Sequence, residues 1–422
     1  MQLGKPKYVF LPKELFCKTL SIQMKKTYIV LGAIIAAIVL VQACSKLQPA
    51  APNDDELLDG PVEGLSYEQN RQFLAGDVAF NDEIFTSANG LGSIFVATSC
   101  GSCHAGDGKG HPFTTLTRFG QTDSTGNQFM HLGGPQLQNR ALPGFMPEQI
   151  PAGATFSKFT PPATTGLGFL ELVSDLDILA MADPNDTNND GISGVPNWIA
   201  LPSFVSPFAN AIPQNGRYIH RFGKKAAAYN LLHQTVNAYN QDIGITSTFS
   251  PADVYSGLNI DPEVSDVTVH NVVFYLQTLK APIQRNQNDA EVILGKNSFI
   301  QAGCESCHKQ TLTTGFSNIA PLSNKTFHPY TDLLLHDMGP GLNDGYTEGN
   351  AKTFEWRTPP LWGLGLSPNS QGGQYFLMHD GRAKSIEEAI LLHGGEAAAS
   401  KNKFNLMNTA EKNNLLKFLK SL

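Results

Sequence analysis

AEVILGKNSFIQAGCESCHKQ, residues 290–310, runs from a helical stretch into a small polar cluster, and that cluster decides the fold. Cys304-Glu-Ser-Cys307-His308 has a counterpart at Cys100-Gly-Ser-Cys103-His104. A C-x-x-C-H motif attaches haem c: two cysteines three apart reach the two vinyl groups as thioethers, and the next histidine turns under the porphyrin to bind the iron. A redox-active CxxC pair or half a zinc site would use the same cysteines, but neither calls for a histidine directly after both pairs. The expected cofactors are therefore two covalently bound haem c groups, with His104 and His308 as proximal iron ligands.

The surroundings of the two motifs repeat. A helical stretch precedes each (Asn70–Phe85 and Ala290–Gln301) and an amphipathic helix closes each half. The closing helices align without a gap, Val272-Val-Phe-Tyr-Leu-Gln-Thr-Leu279 against Leu415-Leu-Lys-Phe-Leu-Lys-Ser-Leu422. The expected fold is mainly α: two cytochrome c-like haem domains in tandem, with long irregular loops. The N-terminal haem domain, with long insertions, covers 66–282, and the C-terminal one covers 283–422. Residues 105–170, rich in Gly and Pro and without a clear period, are expected to wrap the first haem as loops.

The chain has 422 residues, is 41% hydrophobic and 16% charged, and carries a net charge of −7. It has no basic run, so nucleic acid is not an expected partner. Residues 1–43 read as an upstream extension plus a lipoprotein signal. From Met24 two lysines precede an apolar run from Tyr28 to Val41, which ends in a lipobox-like Val-Gln-Ala-Cys44. An uncleaved anchor is the competing reading. Cys44 is the expected lipidation site, and the Pro- and Asp-rich stretch 44–65 a tether. The protein is then an exported bacterial lipoprotein, on the periplasmic side of the outer membrane or on the cell surface. Its N-terminal lipid anchor would hold it to the membrane.

HDGRAKSIEEAILLHGGEA, residues 379–397, raises a separate question. Ser385 and Glu388 form an S-x-x-E capping signal, and Ile386, Ala389, Ile390 and His393 share one helix face. That face is apolar except for His393, and a second axial iron ligand would explain the exception.

At this point the chain resembles a family. FEWRTPPLWGLGL (354–366), LLLHDMGPGLNDG (333–345), FLMHDGRAKSIEEAILLHGGEA (376–397) and GGPQLQNRALPG (133–144) are similar to bacterial di-haem oxidoreductases. These are often labelled thiol oxidoreductases or peroxidases and are related to the di-haem cytochrome c peroxidases. The resemblance implies two haems with unequal jobs, one relaying electrons and one meeting a substrate. It also implies a sixth ligand for the C-terminal haem fourteen residues after the HDG histidine. His379 and His393 fill those places, so His308/His393 coordination is expected. If the repeat extends further, IHRFGKKAAAYNLLHQT (219–235) parallels 378–396, with His220 answering to His379 and His233 a candidate sixth ligand for the first haem. His111, Met130 and His131 are weaker candidates. Gln234 and Asp242 are candidate acid–base residues beside an open iron. The peroxidases' tryptophan-containing repeat is missing at 221–226, so their catalytic glutamate has no counterpart here.

Smaller signals remain. Asp186-Thr-Asn188-Asn-Asp190-Gly191 matches the first half of a calcium loop, but Asn197 stands where an EF-hand needs glutamate. Calcium and an Asx-rich turn are both open readings. Trp198, Trp356 and Trp362 are candidates for an inter-haem electron path or for core packing, and Arg357 and Arg382 for haem propionates. His336 has no assigned role. Two main functions follow: an oxidoreductase with an open first haem, meeting a redox partner protein or a small oxidant such as peroxide, or an electron-transfer relay with both haems six-coordinate. A haem sensor or structural lipoprotein is a third. With Cys17 in the segment expected to be discarded, no cysteine is left for thiol exchange.

Overall fold

Two pairs of crossed helices organise the computed structural model, which describes residues 53–422. The helices used below are α1 (Tyr67–Asp77), α2 (Leu231–Asn237), α3 (Asp266–Thr278), α4 (Ala290–Ala302), α5 (Ile386–Leu392) and α6 (Thr409–Ser421). Their starts are written in the sequence. Ser66, Ser265, Asp289 and Asn408 each accept a backbone N–H from the first turn, and Ser66 and Asn408 complete capping boxes with Gln69 and Glu411.

Helix α1 crosses α3, and α4 crosses α6, through a glycine in each case. A Cβ on Gly76 would run into the Asn271 carbonyl oxygen and come within 2.6 Å of Tyr275 Cβ; one on Gly295 would strike the Asn414 carbonyl and approach Phe418 Cβ to 2.7 Å. In the gap-free alignment of the closing helices, Asn271 matches Asn414 and Tyr275 matches Phe418. The two crossings therefore share one register. The helical run after α1 continues through one wide turn, Val78–Asp82, and stops short of Phe85.

About 34% of the chain is helical and 11% strand, so the fold is mainly α with long connections. The strands form five two-stranded antiparallel ribbons among the described residues. Three of them position side chains discussed below: β1 (Leu116–Phe119) with β2 (Phe156–Phe159), β3 (Asn197–Ile199) with β4 (Tyr218–His220), and β5 (Leu335–Asp337) with β6 (Glu355–Arg357). The last ribbon sets Trp356 directly opposite His336.

Residues 54–422 form one compact unit with two main cores. One is built around α1, α2 and α3, the other around α4, α5 and α6. The first also takes in Leu312, Phe327, Leu333, Leu334 and Trp362, from beyond the expected boundary at residue 282.

The stretch expected to be a tether is partly built into the fold. Leu58 and Val62 are buried, Val62 N–H donates to Thr278 O and Lys280 N–H to Gly60 O, which covers the open end of α3. The expectations for residues 1–43 and for Cys44 lie outside the described residues. No helix among the described residues is long and apolar enough to cross a membrane.

Candidate functional site

His104 and His308 are held in the same way. His104 Nδ1 lies 2.9 Å from Pro162 O and His308 Nδ1 lies 3.0 Å from Tyr330 O. A carbonyl only accepts, so Nδ1 carries the hydrogen and Nε2 keeps its lone pair, the arrangement of a metal-binding imidazole. Burial pulls both pKa values down to about 4, which keeps the rings neutral at physiological pH. Phe80 and Phe299, each four residues after its crossing glycine, stand 5.8 and 6.4 Å from the two imidazoles. Cys100, Cys103, Cys304 and Cys307 are half-buried and form no disulfide, and as thiols Cys100 and Cys304 are pushed up to about 12 by burial.

The remaining histidines separate by tautomer. His393 caps the C-terminal end of α5, with Nδ1 2.7 Å from Ala389 O, so its Nε2 is also left with a lone pair. It is among the groups that depress the pKa of His308, which places the two imidazoles in each other's field. Ser385 caps α5 as its sequence suggests, but Glu388 turns back to the Lys384 N–H rather than to that of Ser385. His233 differs: its Nδ1 accepts the Tyr229 N–H at 3.2 Å, which puts the ring hydrogen on Nε2. Coordination through Nε2 would require that bond to break. His220 Nδ1 lies 3.1 Å from Tyr218 O, and its buried Nε2 has no hydrogen-bond partner. His111 takes the Phe113 N–H at Nδ1 and packs on Phe113 and Phe376; Met130 and His131 are exposed.

A polar group adjoins the first motif. Asp242 raises the pKa values of Cys100 and Cys103, so it lies close to both. Its carboxylate accepts from Gln136 Nε2, and Gln136 and Gln138 also donate to Gln241 O at 3.1 and 2.9 Å. Arg118 donates to Gln136 Oε1 and Gln241 Oε1 and pairs with Glu348 at 2.5 Å. Burial raises Asp242 to about 6, against the opposing effects of Gln136 and Arg118. A cleft of about 320 Å³, lined by Arg118, His233, Tyr346 and Glu348 among others, opens beside this network. Gln234, expected as the partner of Asp242, makes no side-chain hydrogen bond among the described residues; the role belongs to Gln136. An antiparallel backbone bridge to Arg118 of β1 places Gln136 there.

Three cations lie between the two motifs without an ion pair among the described residues. Lys224 depresses His104, Lys109 and Arg357 depress Lys224, and Arg357 feels Asp332, which in turn acts on His308. The Arg357 N–H donates to Lys224 O at 3.0 Å, which fixes the two side by side. Burial lowers Lys224 to about 7, Lys109 to about 8 and Arg357 to about 10. Arg382, the other expected propionate partner, is already committed to Asp380 at 2.8 Å and Asp344 at 3.3 Å.

Near them, Trp356 is sandwiched. The His379 ring stacks on it at 3.7 Å and 10°, and Lys225 Nζ lies 3.8 Å from its ring centroid. His379 Nε2 meets Asp344 Oδ2 at 2.6 Å, and Lys225 donates to three backbone carbonyls. Trp362 is packed against Phe327, and Trp198 is half-buried on β3.

The 186–191 loop is exposed and closes on itself. Asp186 accepts from Gly191 N–H, Asn188 from Asp190 N–H and Asp190 from Ile192 N–H, as in an Asx-rich turn.

These features suit haem. Neutral imidazoles with a free Nε2 fit iron, and half-buried cations without an ion pair fit the carboxylates that a haem carries. Such sites define a haem-binding redox protein. The chain belongs to the family described as "Di-haem oxidoreductase, putative peroxidase", whose model matches residues 157–422. That span contains the second Cys-x-x-Cys-His motif and leaves the first outside it. No curated protein matches the sequence. Among solved structures, the xenon-pressurised hydrazine synthase of Kuenenia stuttgartiensis is similar at a TM-score of 0.37 and 12% identity. The match covers 89% of this chain and 98% of that one, a likeness too slight to carry an inference.

Proposed function

We propose that this protein is an exported di-haem c-type cytochrome, built from tandem cytochrome c-like domains, that reduces a small oxidant such as peroxide. Cys100 and Cys103, and Cys304 and Cys307, hold the haems as thioethers, and His104 and His308 are the proximal ligands. The bound haems supply redox-active iron and pass electrons one at a time. His393 would hold the second haem together with His308, and that haem would take electrons from a redox partner protein. The first haem would have no second protein ligand and so could meet a substrate. With haem bound, Asp242, held by Gln136, would be the proton-transfer group for reduction of hydrogen peroxide to two waters, which takes two electrons and two protons. Lys224, Lys109 and Arg357 neutralise propionates between the two haems. A lipid on Cys44 would tether the protein to the outer membrane or cell surface.

One observation carries this reading: His104, His308 and His393 donate from Nδ1, whereas His233 accepts there. Of the four expected axial ligands, three are prepared to coordinate and His233 is not, which would leave one iron position free; His220 shares the donating Nδ1 but answers to His379 in the repeat, not to a ligand. The relay reading, with both haems six-coordinate, rested first on His233 as a ligand, and the tautomer of that ring does not favour it. Calcium in the 186–191 loop has no such observation behind it. The test is to mix fully reduced holoprotein with hydrogen peroxide in a stopped-flow spectrometer. Both haems should be oxidised at a rate that rises with peroxide concentration. Oxidation no faster than in air would refute the proposal.

A further inference from the structure

His336 occupies a place that the catalytic reading does not use. It is 3% exposed, on β5, with Nε2 2.8 Å from Asp332 Oδ2 and Nδ1 2.6 Å from Glu396 Oε2. Carboxylates only accept, so both ring nitrogens carry hydrogens and the side chain is an imidazolium between two anions. Its Nδ1 is also 3.5 Å from Cys307 Sγ. Cys307, Asp332 and His336 lie close enough to suggest a metal site, but an imidazolium has no lone pair to give one.

The two carboxylates belong to different parts of the second haem site. Asp332 lies two residues after Tyr330, whose carbonyl holds the proximal His308 at 3.0 Å. Glu396 lies three residues after His393, and its second oxygen accepts from Ser193 Oγ and from the Asp337 N–H at 3.3 Å. The backbone between them is in close contact: a Cβ on Gly395 would collide with the Asp337 carbonyl and lie 2.7 Å from Gly339 N. Segment 330–337 thus grips the proximal imidazole at one end and the loop after His393 at the other. An apolar cluster of the same volume would usually stabilise a core at least as well as a buried ion triad, so the triad's contribution is better sought in where it fixes the chain.

We propose that His336, clamped between Asp332 and Glu396, is a positioning residue that holds the 393–397 loop so that His393 can close the second haem. This rests on the reading of His393 as the sixth ligand. It goes further by assigning that ligation to an ion triad reaching from the proximal side, with Ser193 tying in the first half of the chain.

Optical and EPR spectra of the oxidised holoprotein test it, in the variants Glu396→Ala, Glu396→Gln and His393→Ala. Glu396→Ala should convert part of the low-spin signal of the second haem to high-spin and let added imidazole bind there. Glu396→Gln keeps an acceptor for Ser193 and Asp337 at nearly the same volume, so it should fold and show a smaller loss. A purely structural role would lower the melting temperature and leave the low-spin signal whole in the folded protein. Unchanged low-spin spectra in both Glu396 variants, with a high-spin signal in His393→Ala, would overturn the positioning role alone. An unchanged spectrum in His393→Ala would remove the ligand reading and the clamp with it.

Discussion

Asp242→Asn should make the protein more stable at neutral pH and slower as an enzyme. The carboxyl is raised to about 6 from an ordinary 3.8, chiefly by burial, so its charged form is disfavoured in the fold. Two pKa units correspond to about 3 kcal/mol, or about 2 after discounting for the solvent that reaches this half-buried group. Because the folded pKa lies above the unfolded one, the carboxylate costs stability above pH 6. That cost fades as the pH falls from 6 toward 4. Asparagine keeps an acceptor for Gln136 and carries no charge. Thermal unfolding of the holoprotein should therefore show a gain of about 2–5 °C at pH 7.5 that disappears near pH 4. Peroxide turnover should fall by about 10²–10⁴, the usual contribution of a positioned proton-transfer group. Three results would refute the reasoning: lower stability than wild type at pH 7.5, an equal gain at both pH values, or unchanged turnover.

Other expectations are more direct. Mass spectrometry of the denatured holoprotein should find two haems attached, and Cys304→Ser with Cys307→Ser should leave one. Gly295→Ala should destabilise the second helix crossing by about 1–3 kcal/mol, because its Cβ meets the backbone of Asn414, whereas Gly341→Ala, with open space around it, should melt near wild type. Lys224→Met should lower the midpoint potential of at least one haem and the melting temperature of the holoprotein, by leaving a propionate unpaired. With no anion opposite Lys224, the same substitution would raise the melting temperature.

Part of this was legible in the sequence because it is local or repeated, although the glycines at the two crossings, Gly76 and Gly295, carry no signal of their own and emerge only from the fold. The attachment motifs are contiguous, and the gap-free match of Val272–Leu279 with Leu415–Leu422 fits two helix crossings in one register. The caps at Ser385 and Asp289 are also local. What escaped sequence reading is made by distant partners. Gln136 reaches Asp242 across 106 residues and Glu396 reaches His336 across 60, and no periodicity records either pairing. The pairing of Gln234 with Asp242 rested on nearness in the chain, and the fold gives Asp242 another partner. Of the two partners of Arg382, Asp380 is local but Asp344 lies 38 residues away. The stretch around Val62 looked like a tether because its composition is polar, yet two apolar side chains and the open carbonyl of Thr278 draw it onto the body.

EPR of the fully oxidised holoprotein tests the central claim most directly. One low-spin ferric signal from the His308/His393 centre and one high-spin signal from the first haem are expected; two low-spin signals would contradict the open site.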